Sequence, residues 1–119
     1  MATHNELGRI GEDLAVDFLM NQGYEILERN WRYRKAEIDI IAQKDGMLSI
    51  VEVKTRNSYY FGEPESFVSK KKMKLLIVAS DHFVIKNDFD VEVSFDIVSI
   101  VKNTQITDIK HIKNAFHAF

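Results

Sequence analysis

The sequence of 119 residues contains no cysteine, a single proline and no long run of apolar residues. The absence of cysteine excludes disulfide bonds and thiolate metal sites, and it is typical of proteins from a reducing cytoplasm. No apolar run approaches the roughly 20 residues that a membrane-spanning helix needs. The N-terminus also lacks the cationic start and apolar block of a secretion signal. We therefore expect a cytoplasmic protein that does not enter a membrane.

The overall composition is that of an ordinary globular protein, with 45% hydrophobic and 29% charged residues. The sequence has no internal repeat, no low-complexity tract and no linker rich in proline, glycine or serine. A chain of this length commonly forms one domain around a single core. We therefore predict one domain over 1–119.

Positive charge is unevenly distributed, although the formal net charge is only -2. Most of the basic residues fall in three short runs, within 29–35, 54–56 and 70–74. Such runs either form a surface that binds nucleic acid or simply face solvent. The residues that we select as candidate nucleic-acid contacts are Arg32, Arg34, Arg56, Lys70 and Lys71.

The hydrophobic pattern predicts alternating helices and strands. The first helix begins at Thr3, which has Glu6 three residues later as in a capping box, and it ends at Gly23. A strand follows over 24–33, and two more lie within 36–56. A second helix over roughly 67–82, a strand over 91–101 and an unassigned tail complete the chain. The order helix-strand-strand-strand-helix-strand predicts an α/β fold with helices on a mixed sheet.

Two strands within the segment AEIDIIAQKDGMLSIVEVKTR, at 36–56, carry unusual charges. The dipeptide Asp45-Gly46 between them is a strong signal for a hairpin with a two-residue turn. That turn would place Asp39 opposite Glu52, and Glu37 opposite Lys54, on one face of the sheet. The other face would then carry the core residues Ile38, Ile40, Val51 and Val53.

The predicted pair of carboxylates needs compensation. Two carboxylates about 5 Å apart repel by roughly 3 kcal/mol at an effective dielectric constant near 20. Lys54, a shared proton or a divalent cation could offset this repulsion. Oxygen ligands without suitably spaced histidine or cysteine favour Mg²⁺ or Mn²⁺ over Zn²⁺. The chemistry indicated is metal-assisted attack of water on a phosphodiester, with Lys54 orienting the water or stabilising the phosphate.

Asp39 followed by Glu52-Val53-Lys54 resembles the D…ExK core of the PD-(D/E)XK, or restriction-endonuclease-like, superfamily. Nearly the whole chain also resembles the YraN-like family of small bacterial proteins, a group predicted to be endonucleases and similar in fold to archaeal Holliday junction resolvases. The segments that carry this second resemblance are GEDLAVDFLMNQGYEIL at 11–27, NWR at 30–32, EIDII at 37–41, VEVKTR at 51–56, SFDIV at 94–98 and IKNAF at 112–116.

The resemblance implies a role for each matching residue. Asp39 and Glu52 would be metal ligands together with the backbone carbonyl of Val53, Lys54 would be the catalytic lysine, and Glu12 would be the acidic residue supplied by the first helix. It further implies a restriction-endonuclease-like fold, branched or otherwise structured DNA as the substrate, and a homodimer that cuts two strands. Three positions depart from the expected pattern, namely Ala36 in place of glycine, Ile38 in place of proline and Ser94 in place of arginine.

Two other functions remain open at this stage. One is a catalytically inactive module of the same fold that binds nucleic acid or protein. The other is a non-nucleolytic enzyme in which Lys54 acts as a nucleophile, although Glu37 and Glu52 are expected to keep its ammonium charged. Asp96 is interpreted as a buried or edge carboxylate that backbone donors satisfy, outside the metal site.

Overall fold

The computed structural model describes residues 3–59 and 68–117, which form two helices and one five-stranded mixed sheet. The elements in chain order are α1 (His4–Asn21), β1 (Glu25–Tyr33), β2 (Ala36–Lys44), β3 (Met47–Arg56), α2 (Lys70–Lys86), β4 (Glu92–Lys102) and β5 (Thr107–Phe116). The strands lie in the order β1-β2-β3-β4-β5, and only β3 and β4 are parallel. The predicted α/β class with a mixed sheet is confirmed.

Helix α1 covers one face of the sheet. Its N-cap is Thr3, whose hydroxyl accepts a hydrogen bond from the Glu6 N–H over 3.1 Å, as the capping pattern predicts. After the helix, Gly23 adopts a φ of 92°, a conformation that favours glycine. The α1-side core consists of Ala15, Leu19, Tyr24, Ile40, Ala42, Val51, Val98 and Ile100. Burial of these apolar side chains holds α1 against the middle of the sheet.

Helix α2 covers the opposite face. Its N-cap is Ser69, whose hydroxyl accepts from the Lys72 N–H over 3.1 Å. The helix begins at Lys70 and continues to Lys86, beyond the predicted end at 82, and the predicted first residue lies outside the described part of the chain. The α2-side core includes Ile38, Ile41, Leu48, Ile50, Leu76, Ala79, Phe83, Phe95 and Ile97. Both faces of the central strands are therefore buried.

The β2–β3 hairpin has the predicted turn and register. Asp45 and Gly46 have φ values of 51° and 77°, as a tight two-residue hairpin turn requires. Pairing runs from Lys44 opposite Met47 to Ile40 opposite Val51, where the described ladder ends. Beyond this point, the Val53 N–H donates to Asp39 Oδ2 over 2.9 Å. A side chain thus replaces a backbone acceptor where the strands diverge.

This divergence makes one prediction wrong. Ile38 and Ile40 were expected on the same face, but Ile38 belongs to the α2-side core and Ile40 to the α1-side core. Regular alternation would keep residues two positions apart on one face. It is interrupted at Asp39, because β2 leaves its ladder with β3 there.

The predicted element order also lacked the last strand. Residues 107–116 form β5, which pairs antiparallel with β4 at the edge of the sheet. Within β5 only Phe116 is fully buried. Because an edge strand needs little apolar surface, its hydrophobic alternation is weak. Over the residues that the structure describes, neither helix is long and apolar enough to cross a membrane.

Candidate active site

The diverging ends of β2 and β3 open into a cavity of about 270 Å³, here called the acidic cleft. Its lining consists of Gly8, Glu12, Asp39, Glu52, Val53, Lys54, Thr55 and Arg56. Helix α1 supplies the first two residues, β2 supplies Asp39, and β3 supplies the others. The structure therefore brings together all the residues selected from the sequence as catalytic or metal-binding, namely Glu12, Asp39, Glu52, Val53 and Lys54.

Asp39 is the acid with the most perturbed ionisation in the cleft. Burial and, secondarily, the negative charge of Glu52 raise the pKa of Asp39 to about 7. The hydrogen bond from the Val53 N–H and the positive charge of Lys72 oppose this rise. Asp39 consequently holds a proton part of the time near neutral pH, unless a cation takes its place.

Glu52 is buried more deeply, and its two oxygens have different surroundings. Its side chain is only 5% exposed, and Oε1 forms an ion pair with Lys72 of α2. Oε2 is buried and has no hydrogen-bond partner among residues 3–59 and 68–117, and the same holds for Thr55 Oγ1 in the same cleft. A buried polar atom without a partner is costly. A bound cation or ordered water beside Glu52 Oε2 would satisfy this oxygen, whereas Thr55 Oγ1 lies against Gly11 of α1.

Lys54 lies in the same cleft with its ammonium partly shielded from water. Burial and the neighbouring charge of Lys72 lower the pKa of Lys54, and the negative charge of Glu52 only partly opposes them. Glu37 was expected to pair with Lys54, but its carboxylate instead forms an ion pair with Arg32 over 2.8 Å. The reason is that Arg32 lies directly opposite Glu37 in the β1–β2 ladder. The expected pairing of Glu37 with Lys54 is therefore wrong, and Glu52 is the one of these two acids that favours the charged form of Lys54.

Glu12 points from α1 toward the strands, and two neighbouring residues of β1 hold it. Asn30 Nδ2 donates to Glu12 Oε1 over 2.7 Å, and Arg29 NH2 lies 3.5 Å from the same oxygen. Burial raises the pKa of Glu12, the Asn30 hydrogen bond lowers it, and the charge of Asp39 raises it further. Asn30 adopts a φ of 51°, which asparagine tolerates better than most residues. Its place in the NWR segment was noted in the sequence, but no role was assigned to it.

Lys72 is a second residue that sequence reasoning missed. It was interpreted only as part of a basic run at the start of a helix. Its spacing nevertheless carried a signal, because Lys72 precedes Leu76 by four positions and Ala79 by seven, and both of these are buried. Lys72 is half-buried, whereas Lys70, Lys71 and Lys74 are exposed. A lysine that faces the protein interior, among lysines that face solvent, indicates an acidic partner in the interior.

A second cavity of about 440 Å³, here called the basic groove, adjoins the acidic cleft. Its lining consists of Lys35, Ala36, Glu37, Asp39, Ser69, Lys71, Lys72, Leu75 and Leu76. Asp39 lines both cavities, so the two meet at this residue. The groove combines three lysines with the N-terminus of α2, an arrangement that suits an anion.

The five predicted nucleic-acid contacts occupy different surroundings. Lys71 lines the basic groove and Arg56 lines the acidic cleft. Arg32 pairs with Glu37, and the Arg34 guanidinium lies 5.2 Å from the centre of the Tyr33 ring. Lys70 is the exposed first residue of α2. Only Lys71 and Arg56 thus lie in the walls of the two cavities.

The fit of a metal ion depends on the ligands that the cleft provides. In the described ranges, no three or more histidine, cysteine, aspartate or glutamate side chains converge so as to hold a metal ion. A cation would therefore rely on Asp39 and Glu52, supplemented by a backbone oxygen such as that of Val53 and by water. Magnesium and manganese tolerate such sets, because Mg²⁺ keeps several waters and takes only one or two carboxylates. The unpartnered Glu52 Oε2 is consistent with this fit.

Asp96 lies outside both cavities and has a structural environment. It is 1% exposed and accepts hydrogen bonds from the Asn114 N–H over 3.2 Å and from Ser94 Oγ. His111 Nε2 lies 2.8 Å from Asp96 Oδ2. Burial raises the pKa of Asp96, but these hydrogen bonds outweigh burial and leave the pKa below its usual value. The interpretation of Asp96 as a buried, satisfied carboxylate is confirmed, with side-chain donors added to the backbone donor.

Known proteins are similar to this chain over most or all of its length. A UPF0102 protein of Flavobacterium psychrophilum is 53% identical over 119 residues and covers 100% of both chains. One of Christiangramia forsetii is 51% identical over 119 residues, again with 100% of each chain covered. One of Persephonella marina is 47% identical over 110 residues, which cover 92% of this chain and 91% of the relative. Residues 11–100, which include every residue of the acidic cleft except Gly8, match the pattern of the uncharacterised protein family UPF0102, and the chain belongs to this family.

Proposed function

We propose that the protein is a metal-dependent endonuclease that hydrolyses phosphodiester bonds in branched or otherwise structured DNA. The observation that carries this proposal is the convergence of Asp39 and Glu52 on one cleft beside Lys54, with Glu52 Oε2 buried and lacking a partner in the described part of the chain. Two carboxylates, a lysine and a free buried oxygen form a site for a divalent cation and a phosphate.

The arrangement of the elements supports a restriction-endonuclease-like fold as part of the same proposal. The acids of the PD-(D/E)XK-like motif lie on an antiparallel hairpin, β2–β3, at the point where its strands separate. Helix α1 adds Glu12 from one side, and α2 adds Lys72 from the other. The resemblance to archaeal Holliday junction resolvases, which the sequence motifs suggest, leads us to propose branched DNA and a homodimer.

Each cleft residue has a role in the proposed reaction. The carboxylates of Asp39 and Glu52, with the Val53 carbonyl, would hold Mg²⁺ or Mn²⁺. When bound, such an ion supplies an activated water and neutralises charge on the phosphate. The Lys54 ammonium orients the attacking water and stabilises the charge that develops on the phosphate. Glu12, held by Asn30, provides a further acceptor for water at the α1 side of the cleft.

Charge around the cleft supports a nucleic-acid substrate. The basic groove brings Lys35, Lys71 and Lys72 to the border of the acidic cleft. Of the acids in the groove, Glu37 is compensated by Arg32, and Asp39 is partly protonated at neutral pH. A strand with one phosphate in the cleft would therefore meet positive charge at the next phosphate.

Cleavage of labelled four-way junction, flap and linear duplex DNA with Mg²⁺ or Mn²⁺ tests the proposal. The informative variant is Asp39→Asn, which keeps an oxygen acceptor for the Val53 N–H but removes the charge, and Asp45→Asn in the hairpin turn is the matched control. We expect metal-dependent cleavage by the wild type and the control, and its loss in Asp39→Asn with DNA binding retained. Binding without cleavage of any substrate would favour the inactive module, and cleavage by Asp39→Asn would refute the assigned site.

A further inference from the structure

We propose that Lys72 is an exchangeable counter-ion that pairs with Glu52 when the cleft holds no divalent cation and with a DNA phosphate in the basic groove when it does. This inference rests on the proposed nuclease function and extends it. In this role, Lys72 couples cation binding in the acidic cleft to substrate binding in the basic groove.

The position of Lys72 between the two cavities is the first support. Its side chain lines the basic groove, while its ammonium reaches Glu52 Oε1 in the acidic cleft. The side chain is 38% exposed, whereas that of Glu52 is 5% exposed. The Lys72 side chain therefore contacts the buried carboxylate of Glu52 and also borders the open basic groove. A lysine side chain has enough rotatable bonds to serve both positions.

The electrostatics of the acidic cleft explain why Lys72 pairs with Glu52. A buried carboxylate without a positive partner is strongly disfavoured. Lys54 lies beside Glu52 on the same strand, but the hydrogen-bonded ion pair of Glu52 is made by Lys72. A divalent cation on Glu52 would supply the missing charge and repel the ammonium. Lys72 would then need a new anion.

The basic groove offers that anion a place. Lys35, Lys71 and Ser69 line it around Lys72, and Ser69 is the N-cap of α2. The helix dipole disfavours a cation at this end of the helix unless an anion is present. A phosphate next to the scissile one would satisfy the lysines and the helix end together. Of the three lysines that line the groove, Lys72 forms the ion pair with Glu52.

Exchange of this kind makes the two binding events cooperative. Without DNA, the cation competes with Lys72 for Glu52, so its affinity is reduced. With DNA, a phosphate accepts Lys72, so the cation binds more tightly, and linkage requires that the cation strengthen DNA binding by the same factor. Coupling of this type commonly amounts to roughly 5- to 150-fold.

The first test measures Mn²⁺ binding to the DNA-free protein by calorimetry. We expect Lys72→Ala to bind Mn²⁺ about tenfold more tightly than the wild type, because the competitor is gone. The control Lys71→Ala removes an equal charge from the same helix and groove without removing the Glu52 ion pair, and it should change the affinity much less. Lys72→Met removes the same charge but keeps the length of the side chain, so it should also bind Mn²⁺ about tenfold more tightly and preserves the test if Lys72→Ala does not fold.

The second test measures the coupling itself in a Lys54→Ala background, which blocks cleavage and keeps both carboxylates. A fluorescent duplex oligonucleotide is titrated with and without Mn²⁺. We expect Mn²⁺ to strengthen DNA binding by at least about fivefold when Lys72 is present, and to have a clearly smaller effect in the Lys72→Ala double variant. In the Lys71→Ala double variant, DNA binding weakens with and without Mn²⁺, but the coupling remains.

The outcomes separate this inference from the function on which it rests. If Mn²⁺ binds the wild type and Lys72→Ala equally, or if Lys71→Ala matches Lys72→Ala, the counter-ion role is overturned while the metal site stands. If neither the wild type nor Lys72→Ala binds Mn²⁺, the metal-dependent function fails, and the counter-ion role fails with it.

Discussion

Asn30 of β1 donates a hydrogen bond from Nδ2 to Oε1 of Glu12 in α1 over 2.7 Å, joining residues 18 positions apart. The contact fixes the one cleft acid that comes from a helix. Arg29 lies 3.5 Å from the same oxygen, but its shorter contact, of 2.7 Å, is with Asp13. Asn30 is therefore the main positioning residue for Glu12.

Replacing Asn30 with glycine tests this role. Asn30→Gly keeps the left-handed backbone conformation and removes only the amide side chain. We expect kcat for DNA cleavage to fall by roughly 10- to 100-fold, with little change in KM. A loss of this size is typical when a residue that orients a site residue through a hydrogen bond is removed. Arg29→Ala should cause a smaller loss. Wild-type kcat in Asn30→Gly would show that Glu12 needs no support.

The ionisation of Asp39 predicts how cation binding depends on pH. Because the pKa of Asp39 is raised to about 7, a cation must displace a proton from it below that pH. We expect Mn²⁺ affinity to increase about tenfold per pH unit up to pH 7 and to level off above it. Calorimetry in buffers of different ionisation enthalpy would count the released proton. Affinity that is constant between pH 5.5 and 7 would contradict the prediction.

The raised pKa of Asp39 also affects stability. An ion-paired acid usually makes a protein more stable as the pH rises, whereas Asp39 makes this protein less stable as the pH rises. The folded state retains its proton up to about pH 7, whereas the unfolded chain loses it near pH 4. The contribution of Asp39 to the free energy of unfolding therefore decreases as the pH rises from 4 to 7. In urea titrations of the metal-free protein, Asp39→Asn should lack this decrease and become relatively more stable at pH 7.

Gly11 allows α1 to approach β3 closely. A Cβ at this position would lie 1.8 Å from Thr55 Oγ1 and 2.8 Å from Thr55 Cβ. We expect Gly11→Ala to lower the free energy of unfolding by about 1–3 kcal/mol and to displace the neighbouring Glu12. Gly8→Ala is the matched control, since its Cβ would meet nothing within 4 Å, and it should be neutral or stabilising by up to about 1 kcal/mol. Equal stability of both variants in urea would refute the close contact.

The hydrogen bonds around the buried Asp96 carboxylate predict a large loss of stability when this side chain is truncated. Asp96→Ala leaves His111 and the Asn114 N–H without this acceptor, whereas Ser94 Oγ keeps Asn114 Oδ1 as an acceptor over 2.9 Å. We expect a loss of about 3 kcal/mol or more in the free energy of unfolding. Asp108→Ala is the control, because Asp108 is exposed and accepts only from Tyr59 in the described contacts, and it should cost less than about 1 kcal/mol. A small loss of stability in Asp96→Ala would mean that water accepts the hydrogen bonds that the Asp96 oxygens accept in the wild type.

Asp96 also predicts part of the acid sensitivity. Its folded-state pKa lies below the usual value, so its stabilising contribution is present above about pH 4 and is lost as the pH falls through the folded pKa. Asp96→Asn should therefore show a flatter loss of stability below pH 4 than the wild type. Parallel acid unfolding curves would exclude this contribution.

Local patterns in the sequence predicted the frame of the site well. The Asp45-Gly46 turn determined the register of β2 and β3, and the cap at Thr3 determined where α1 begins. Both are short-range signals with a direct structural meaning. They were sufficient to place Asp39 and Glu52 on one hairpin.

Contacts between distant segments could not be predicted in this way. At Asp39, whose side chain accepts from the Val53 N–H, the alternation between the α2-side and α1-side cores is interrupted, and no local pattern in the sequence indicates this. The pairing of Lys72 with Glu52 requires α2, which packs on β1 and β2, to place Lys72 within reach of β3. Strand β5 has too little buried surface to show a pattern. Each of these features is specified by tertiary packing and not by neighbouring residues.

The placement of the two central acids has a consequence for the folding pathway. Asp39 and Glu52 approach each other through a local hairpin, whereas the lysine that neutralises Glu52 lies 20 residues farther along the chain. Because local contacts form early and distant ones late, the hairpin carries uncompensated negative charge until α2 docks. We expect refolding to accelerate when Asp39→Asn removes part of that charge, in stopped-flow measurements at neutral pH. We thus expect the charge of the acidic cleft to slow the step in which the rest of the chain folds onto the hairpin.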